Sequence, residues 1–463
     1  MKTLYWFICL MVYSSLLFGQ SLHERLAKAV EKLQSDSQMR HAIIGLSICN
    51  SLTGEKIFEV NAQTGLAPAS CQKTITSAAA MELLGPQYRY QTILGYEGSI
   101  NQGSLKGNLL LIGDGDPTFG SWRFESTKGD RELEQLIGIV NENGIKKIAG
   151  GLIGYTGKWE QKTIPGGWIW DDMGNYYGAG ISAINWHENQ YNLVLQSGSN
   201  EGDKVSIVET TPKLYKVNLE SRVLSGRKGS GDNAYIYLAP FASNGFVTGT
   251  IPRDEKAFVI SGSFPDPSLQ LLATFTDKLD SADMKPKSFS VSDKYAIPAY
   301  QKLGIVYSPS MDSINYWFMK KSINLYGEAF LKAIAYQKTG LGSTDKGLEI
   351  LKQFWKERGI EPSALHMIDG SGLSPQNRVT ADALVKVLQY AKGRPWFNYY
   401  YDALPVFNEM KLKSGTIGGA KSFAGYHTAK DGTAYMVAFI INNYGGPAGE
   451  IVRKMYLVLD ELK

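Results

Sequence analysis

An α+β fold, with an antiparallel sheet flanked by helices and a large inserted β-rich region, follows from three features of this 463-residue chain. Residues 22–85 read as helix, hairpin and helix. Residues 410–462 read as three strands and a helix. The stretch 86–292 between them changes character, with many glycines and polar β-like runs. The two ends together supply one sheet and its covering helices. They therefore form a single discontinuous domain, 21–85 plus 293–463, and 86–292 is an insertion of one or two accessory domains.

At the start, Lys2 precedes an apolar run from Leu4 to Leu17, and Phe18-Gly19-Gln20 leads into polar Ser21-Leu22-His23-Glu24-Arg25. That order reads as a signal peptide over 1–20, so the mature chain is expected in a periplasm or outside the cell. The run is short for a bilayer span, and cleavage is expected over anchoring. Left uncleaved, it would keep the protein associated with the membrane surface.

Residues 22–36 then show the spacing of an amphipathic helix, and 43–49 and 56–60 form strands across the turn 50–54. Pro68-Ala69-Ser70 opens a helix that carries Ile75, Ala78, Ala79 and Leu83 and stops at Gly85-Pro86. At the far end, 410–417, 423–428 and 433–441 are strands, the last two joined at Lys430-Asp431-Gly432. A final helix from about 450 to 462 sets Ile451, Met455 and Leu459 on one stripe.

Composition narrows the function. A hydrophobic content of 43% with 20% charge suits a soluble globular protein with a sizeable core. The net charge of +4, from 48 basic and 44 acidic residues, is too balanced to predict a nucleic-acid partner. His23, His41, His187, His366 and His427 lack ligand spacing, so no metal and no cofactor is expected. Cys9 leaves with the signal. Cys49 and Cys71 remain; a bridge between them is disfavoured, and Cys71 reads as a small buried thiol inside a helix.

Three short motifs carry chemistry. Ser70-Cys71-Gln72-Lys73 is an S-x-x-K at a helix start, which sets a hydroxyl and an amine on one face. A serine hydroxyl needs a neighbour to take its proton, and a desolvated lysine with a lowered pKa can do so. The same pattern at 225–228 and 343–346 lies in glycine- and charge-rich stretches that read as loops. Ser322-Ile323-Asn324 is an S-x-N, a hydroxyl for proton relay to a leaving amine and an amide for the substrate backbone. Ser313-Ile314-Asn315 matches it equally on spacing. Lys413-Ser414-Gly415-Thr416 is a K-[ST]-G on a strand: a cation and hydroxyls for a carboxylate, and a glycine that lets substrate approach the strand edge. Its second copy, Lys338-Thr339-Gly340, reads more simply as a helix C-cap.

With these motifs in this order, the chain resembles the low-molecular-mass penicillin-binding proteins, and within them the D-alanyl-D-alanine carboxypeptidase/endopeptidase family with a large insertion between the first two motifs. Further matches are 66–70, 113–118, Ser308-Pro309-Ser310, and Asp369-Gly370-Ser371-Gly372-Leu373-Ser374 followed by Asn377-Arg378-Val379-Thr380. The resemblance implies a penicillin-binding/β-lactamase-like transpeptidase fold and a serine DD-peptidase acting on peptidoglycan stem peptides, with β-lactams as inhibitors. It implies that Ser70 forms the acyl-enzyme, that Lys73 accepts its proton, and that Ser322 and Asn324 relay protons and orient substrate. Lys413, Ser414 and Thr416 would hold the terminal carboxylate, and the backbone N–H groups of Ser70 and Thr416 the oxyanion. Ile323 and Ser414 depart from the commoner aspartate and threonine, and neither change removes a chemical role.

Two other readings compete. A β-lactamase shares the nucleophile, but no equivalent glutamate motif stands where one large class keeps it, and the insertion is unlike those enzymes. A cell-wall binding protein that lost activity would be expected to lack one of these hydroxyls or amines. Asp114 and Asp116 read as turn residues, and the cluster Trp168, Trp170, Asp171, Asp172, Tyr176 and Tyr177 reads as a sugar or peptide surface or as packing inside the insertion.

Overall fold

A computed structural model describes residues 20–463, so the expected signal peptide lies, but for Gln20, outside the described residues. Helix α1 (Leu22–Gln34) starts at a capping box, in which the Glu24 N–H donates to the Ser21 hydroxyl and the Ser21 N–H donates to the Glu24 carboxylate. Strands β1 (Ile43–Asn50) and β2 (Lys56–Val60) form the hairpin. A short 3-10 turn, Ala69–Gln72, then runs into α2 (Lys73–Leu83). Beyond the insertion come α3 (Met311–Lys320), α4 (Asn324–Thr339), α5 (Thr344–Lys356) and α6 (Ala381–Lys392). Strands β3 (Val406–Phe407), β4 (Met410–Ile417), β5 (Ala420–Thr428) and β6 (Ala434–Asn442) and helix α7 (Ala448–Leu459) complete the chain.

The six strands make one antiparallel sheet in the order β3-β4-β5-β6-β1-β2. Strand β1 pairs with β6 from Ile43 opposite Asn442 to Asn50 opposite Tyr435, so the two ends of the chain meet inside the sheet. The period of two in β6 explains how the sheet is covered. Val437, Phe439 and Ile441 join Leu46 and Ile48 against Leu26, Val30, Met455 and Leu459 of α1 and α7. Met436, Ala438 and Ile440 face the opposite way, into the larger core with Ile75, Phe330 and Leu384 of α2, α4 and α6.

The inserted region has its own core around Leu111, Leu136, Leu193, Ile236 and Phe275. Its main sheet runs in the order Phe289–Ser292, Leu152–Tyr155, Leu109–Gly113, Gln91–Tyr96 and Gln301–Tyr307. The last of these pairs antiparallel with Gln91–Tyr96, so by pairing the insertion extends to about residue 307 rather than 292. Composition marks where a stretch changes, whereas a strand's domain is set by its distant partner. The insertion is also not confined to its own core: Trp159, Ile181 and Ala183 are buried in the core of the surrounding domain.

Cys49 and Cys71 are both free and buried. Asp114 accepts from the Gln91 N–H and Asp116 from the N–H and hydroxyl of Thr118, which are local structural roles. No helix among the described residues is long and apolar enough to cross a membrane. Phe439 is fully buried between the sheet and the two terminal helices. Phe439→Ala is expected to cost about 3–5 kcal/mol, seen as a lower urea midpoint of unfolding.

Candidate active site

Ser70 sits in the 3-10 turn, half-buried, and Lys73 is the first residue of α2, so the serine precedes the α-helix rather than lying in its first turn. Ala69 has a left-handed φ of 45°, which an alanine adopts only at a cost of about 1–3 kcal/mol. Tertiary contacts hold this turn. The Ser422 hydroxyl donates to the Pro68 carbonyl at 2.5 Å, and the Cys71 thiol donates to the Lys413 carbonyl at 3.1 Å. Strand β4 lies directly against the turn: a Cβ on Gly415 would stand 2.6 Å from the Pro68 oxygen and 2.8 Å from the Ser70 nitrogen. The glycine therefore lets the strand approach the serine turn, in addition to the substrate access expected of it.

The Lys73 side chain is fully buried and has three partners: the Ser70 hydroxyl at 3.0 Å, the Asn324 amide oxygen at 2.6 Å and the Ser371 carbonyl at 2.6 Å. Burial, and then Lys413, hold its pKa well below the usual lysine range, against the opposing pull of Asp369 and Glu328. A neutral amine fits this setting, because it has two N–H donors for the two carbonyl-type acceptors and one lone pair for the serine hydroxyl. The orientation of Asn324 is fixed from its other end, since its NH2 donates to the Tyr177 carbonyl at 2.8 Å. That oxygen can only accept, so the amide oxygen must face Lys73. The second N–H of Asn324 has no partner among the described residues.

Ser322 lies two residues before Asn324, between α3 and α4, half-buried and with a left-handed φ of 59°. Its hydroxyl enters no hydrogen bond among the described residues. The equally spaced Asn315 is elsewhere: its oxygen accepts from Ser77, one turn beyond Lys73, at 2.6 Å in the core. Lys413 is buried, donates to the Ser414 carbonyl at 2.8 Å, and burial lowers its pKa to about 8. Alternation along β4 puts Lys413 and Gly415 on the face toward Ser70, and Ser414 and Thr416 on the other. Beyond Lys411 no described strand pairs with the outer edge of β4, so the backbone there is open to an extended peptide. The remaining motif copies have plain roles. Gly340 ends α4 in the left-handed conformation at φ 78°, Ser343 caps α5, and Ser225 lies on the strand Asn218–Gly226 rather than in a loop.

Residues 26–461 match the sequence profile of the D-Ala-D-Ala carboxypeptidase 3 (S13) family, nearly the whole of the described chain. The chain belongs to this family. It is a serine-type D-Ala-D-Ala carboxypeptidase in the family's terms. The D-alanyl-D-alanine carboxypeptidase of Actinomadura sp. (strain R39) is 26% identical, with 91% of this chain and 82% of the relative covered. The fold is that of penicillin binding protein 4 (dacB) from Haemophilus influenzae, with a TM-score of 0.81 at 22% identity over 94% of this chain and 99% of the other. A structure of that protein complexed with a β-lactam superposes with a TM-score of 0.75 at 21% identity over the same shares.

Around the S13 motifs stand residues to which the sequence assigned no role. Asp369 is buried and accepts from five donors: Gln72, Gly372 and Asn377 on one oxygen at 2.9, 2.7 and 3.0 Å, and Trp168 and Ser374 on the other at 2.9 and 2.7 Å. Both oxygens of Glu328 accept from the Gly370 N–H, and burial, with Asp369 nearby, pushes the Glu328 pKa up to about 8. Together they fix the loop whose Ser371 carbonyl holds Lys73. The one available signal was the run Asp369 to Ser374, read as a match without a function. Of the aromatic cluster, the Trp168 indole donates to Asp369 and the Tyr177 carbonyl accepts from Asn324, while the Tyr177 ring packs edge-on against Tyr176 within the insertion. Gly415→Ala is expected to displace the serine turn and slow covalent acylation of Ser70 by about a hundredfold, as followed by intact mass against time.

Proposed function

We propose that the chain cleaves D-Ala-D-Ala termini of peptidoglycan stem peptides, and D-Ala crosslinks, through an ester on Ser70, and that penicillins inhibit it by forming the same ester. The observation that carries this reading is the set of partners around the buried Lys73 amine: two carbonyl-type oxygens that can only accept, and the Ser70 hydroxyl, the one partner with a proton to give up. Lys73 takes the proton as Ser70 Oγ attacks the carbonyl of the penultimate D-alanine. The peptide lies along the open edge of β4, and the Ser70 and Thr416 N–H groups stabilise the oxyanion. Lys413 supplies positive potential, and Ser414 and Thr416 donate to the substrate carboxylate. The C–N bond breaks as the leaving amine receives a proton relayed through Ser322. Water then hydrolyses the ester. In a β-lactam the amine stays tethered to the acyl group, which is why the adduct persists.

The family match and the β-lactam complex of the Haemophilus relative support this chemistry. The apolar segment after Lys2 supports export to the compartment where peptidoglycan lies.

Intact-mass analysis after penicillin treatment should give one adduct on the wild type and none on Ser70→Ala. A wild type that takes no adduct would leave a wall-binding protein, and rapid turnover of nitrocefin would leave a β-lactamase. The pH dependence of acylation should be bell-shaped. The rate rises as pH passes through the depressed pKa of Lys73, because only the neutral amine accepts the proton. It falls above about pH 8 as Lys413 loses its charge. A rate still climbing at pH 10 would remove Lys413 from carboxylate recognition.

A further inference from the structure

Lys421 belongs to none of the three motifs, yet it sits on one of them. On β5 it pairs directly with Thr416 of β4, and cross-strand partners share a face. Its ammonium donates to the Thr416 hydroxyl at 2.7 Å and lies over the Phe423 ring, 5.2 Å from the centroid. Lys421 is half-buried and forms no salt bridge among the described residues, whereas many surface lysines here have a carboxylate partner. Lys413 adds potential from a distance rather than a contact, because its side chain is buried on the opposite face, toward the serine turn, with its ammonium on the Ser414 carbonyl.

We propose that Lys421 reads the carboxylate on the α-carbon of the leaving amine, favouring leaving groups that bear one. The inference rests on the peptidase reading above. A hydroxyl whose lone pair is taken by an ammonium keeps its hydrogen for an outward acceptor. A carboxylate accepting from Thr416 thus arrives beside an unpaired cation. Partial burial lowers the Lys421 pKa, as expected of a cation that has lost part of its hydration and attracts an anion more strongly than a fully solvated one. A terminal D-alanine meets the requirement, and so does the amine of a crosslink whose carbon carries a carboxylate. An amine at the end of an unsubstituted side chain does not.

The test compares an N-acylated peptide ending in D-Ala-D-Ala with its C-terminal primary amide, using the full chain, Lys421→Met and Lys421→Arg. The readout is the ratio of kcat/KM for the acid to that for the amide. In Lys421→Met the ratio should fall about ten- to a hundredfold, and Lys421→Arg should retain most of it. An unchanged ratio in Lys421→Met, including an equal loss on both peptides, overturns the proposal. So does an arginine variant that falls as far as methionine. A wild type that cleaves neither peptide overturns the peptidase reading itself, whereas one that cleaves both with a ratio unmoved by substitution overturns only the role of Lys421.

Discussion

The catalytic arrangement depends on the cost of burying an amine. In water Lys73 would be an ammonium, but inside the core its charge would need compensation that two carbonyl-type acceptors and one hydroxyl provide poorly. The amine is therefore driven toward neutrality, and the direction of its lone pair is decided by which partner can donate. Only Ser70 can. The positions of Asn324, Ser371, Asp369 and Glu328 all follow from the need to hold the two acceptors still.

This constraint organises the fold around it. The serine turn departs from helical geometry at Ala69, and that strain is borne by contacts with β4 and β5 through Gly415 and Ser422. The sheet is in turn closed by pairing of β1 with β6, the two ends of the chain. Ser70 and the strand around Gly415 can stand in direct contact only because the intervening chain returns to the same sheet.

What the sequence revealed follows the range of the interaction responsible. The strands β1, β2, β4 and β6 were legible within about a residue because alternation is local, and the three motifs because each is a run of three or four residues. The copy at 322–324 could not be separated from that at 313–315 by spacing; both asparagines are buried against α2, and only the packing of the helices sets Asn324 on Lys73 and Asn315 one turn further on, at Ser77. The 3-10 geometry at Ser70 was hidden because tertiary contacts impose it on a segment with helical spacing. The strand Gln301–Tyr307 was assigned to the wrong side of the boundary because its partner lies far back in the chain. Asp369 was visible as a pattern but not as a hub, since its donors come from three separate segments, at Gln72, at Trp168 and in its own loop from Gly372 to Asn377.

The bond from Asn324 to the Tyr177 carbonyl crosses 147 residues of sequence and joins the insertion to the reaction centre. A single backbone oxygen of the insertion thus decides which way an amide points, and through it which atom the buried lysine amine meets. The insertion is consequently not a detachable module: a pared-down core would keep every motif residue while losing the element that orients one of them. Exchange of this region between homologous chains would be constrained by the height of one peptide plane above α4 more than by side-chain identity on its outer surface.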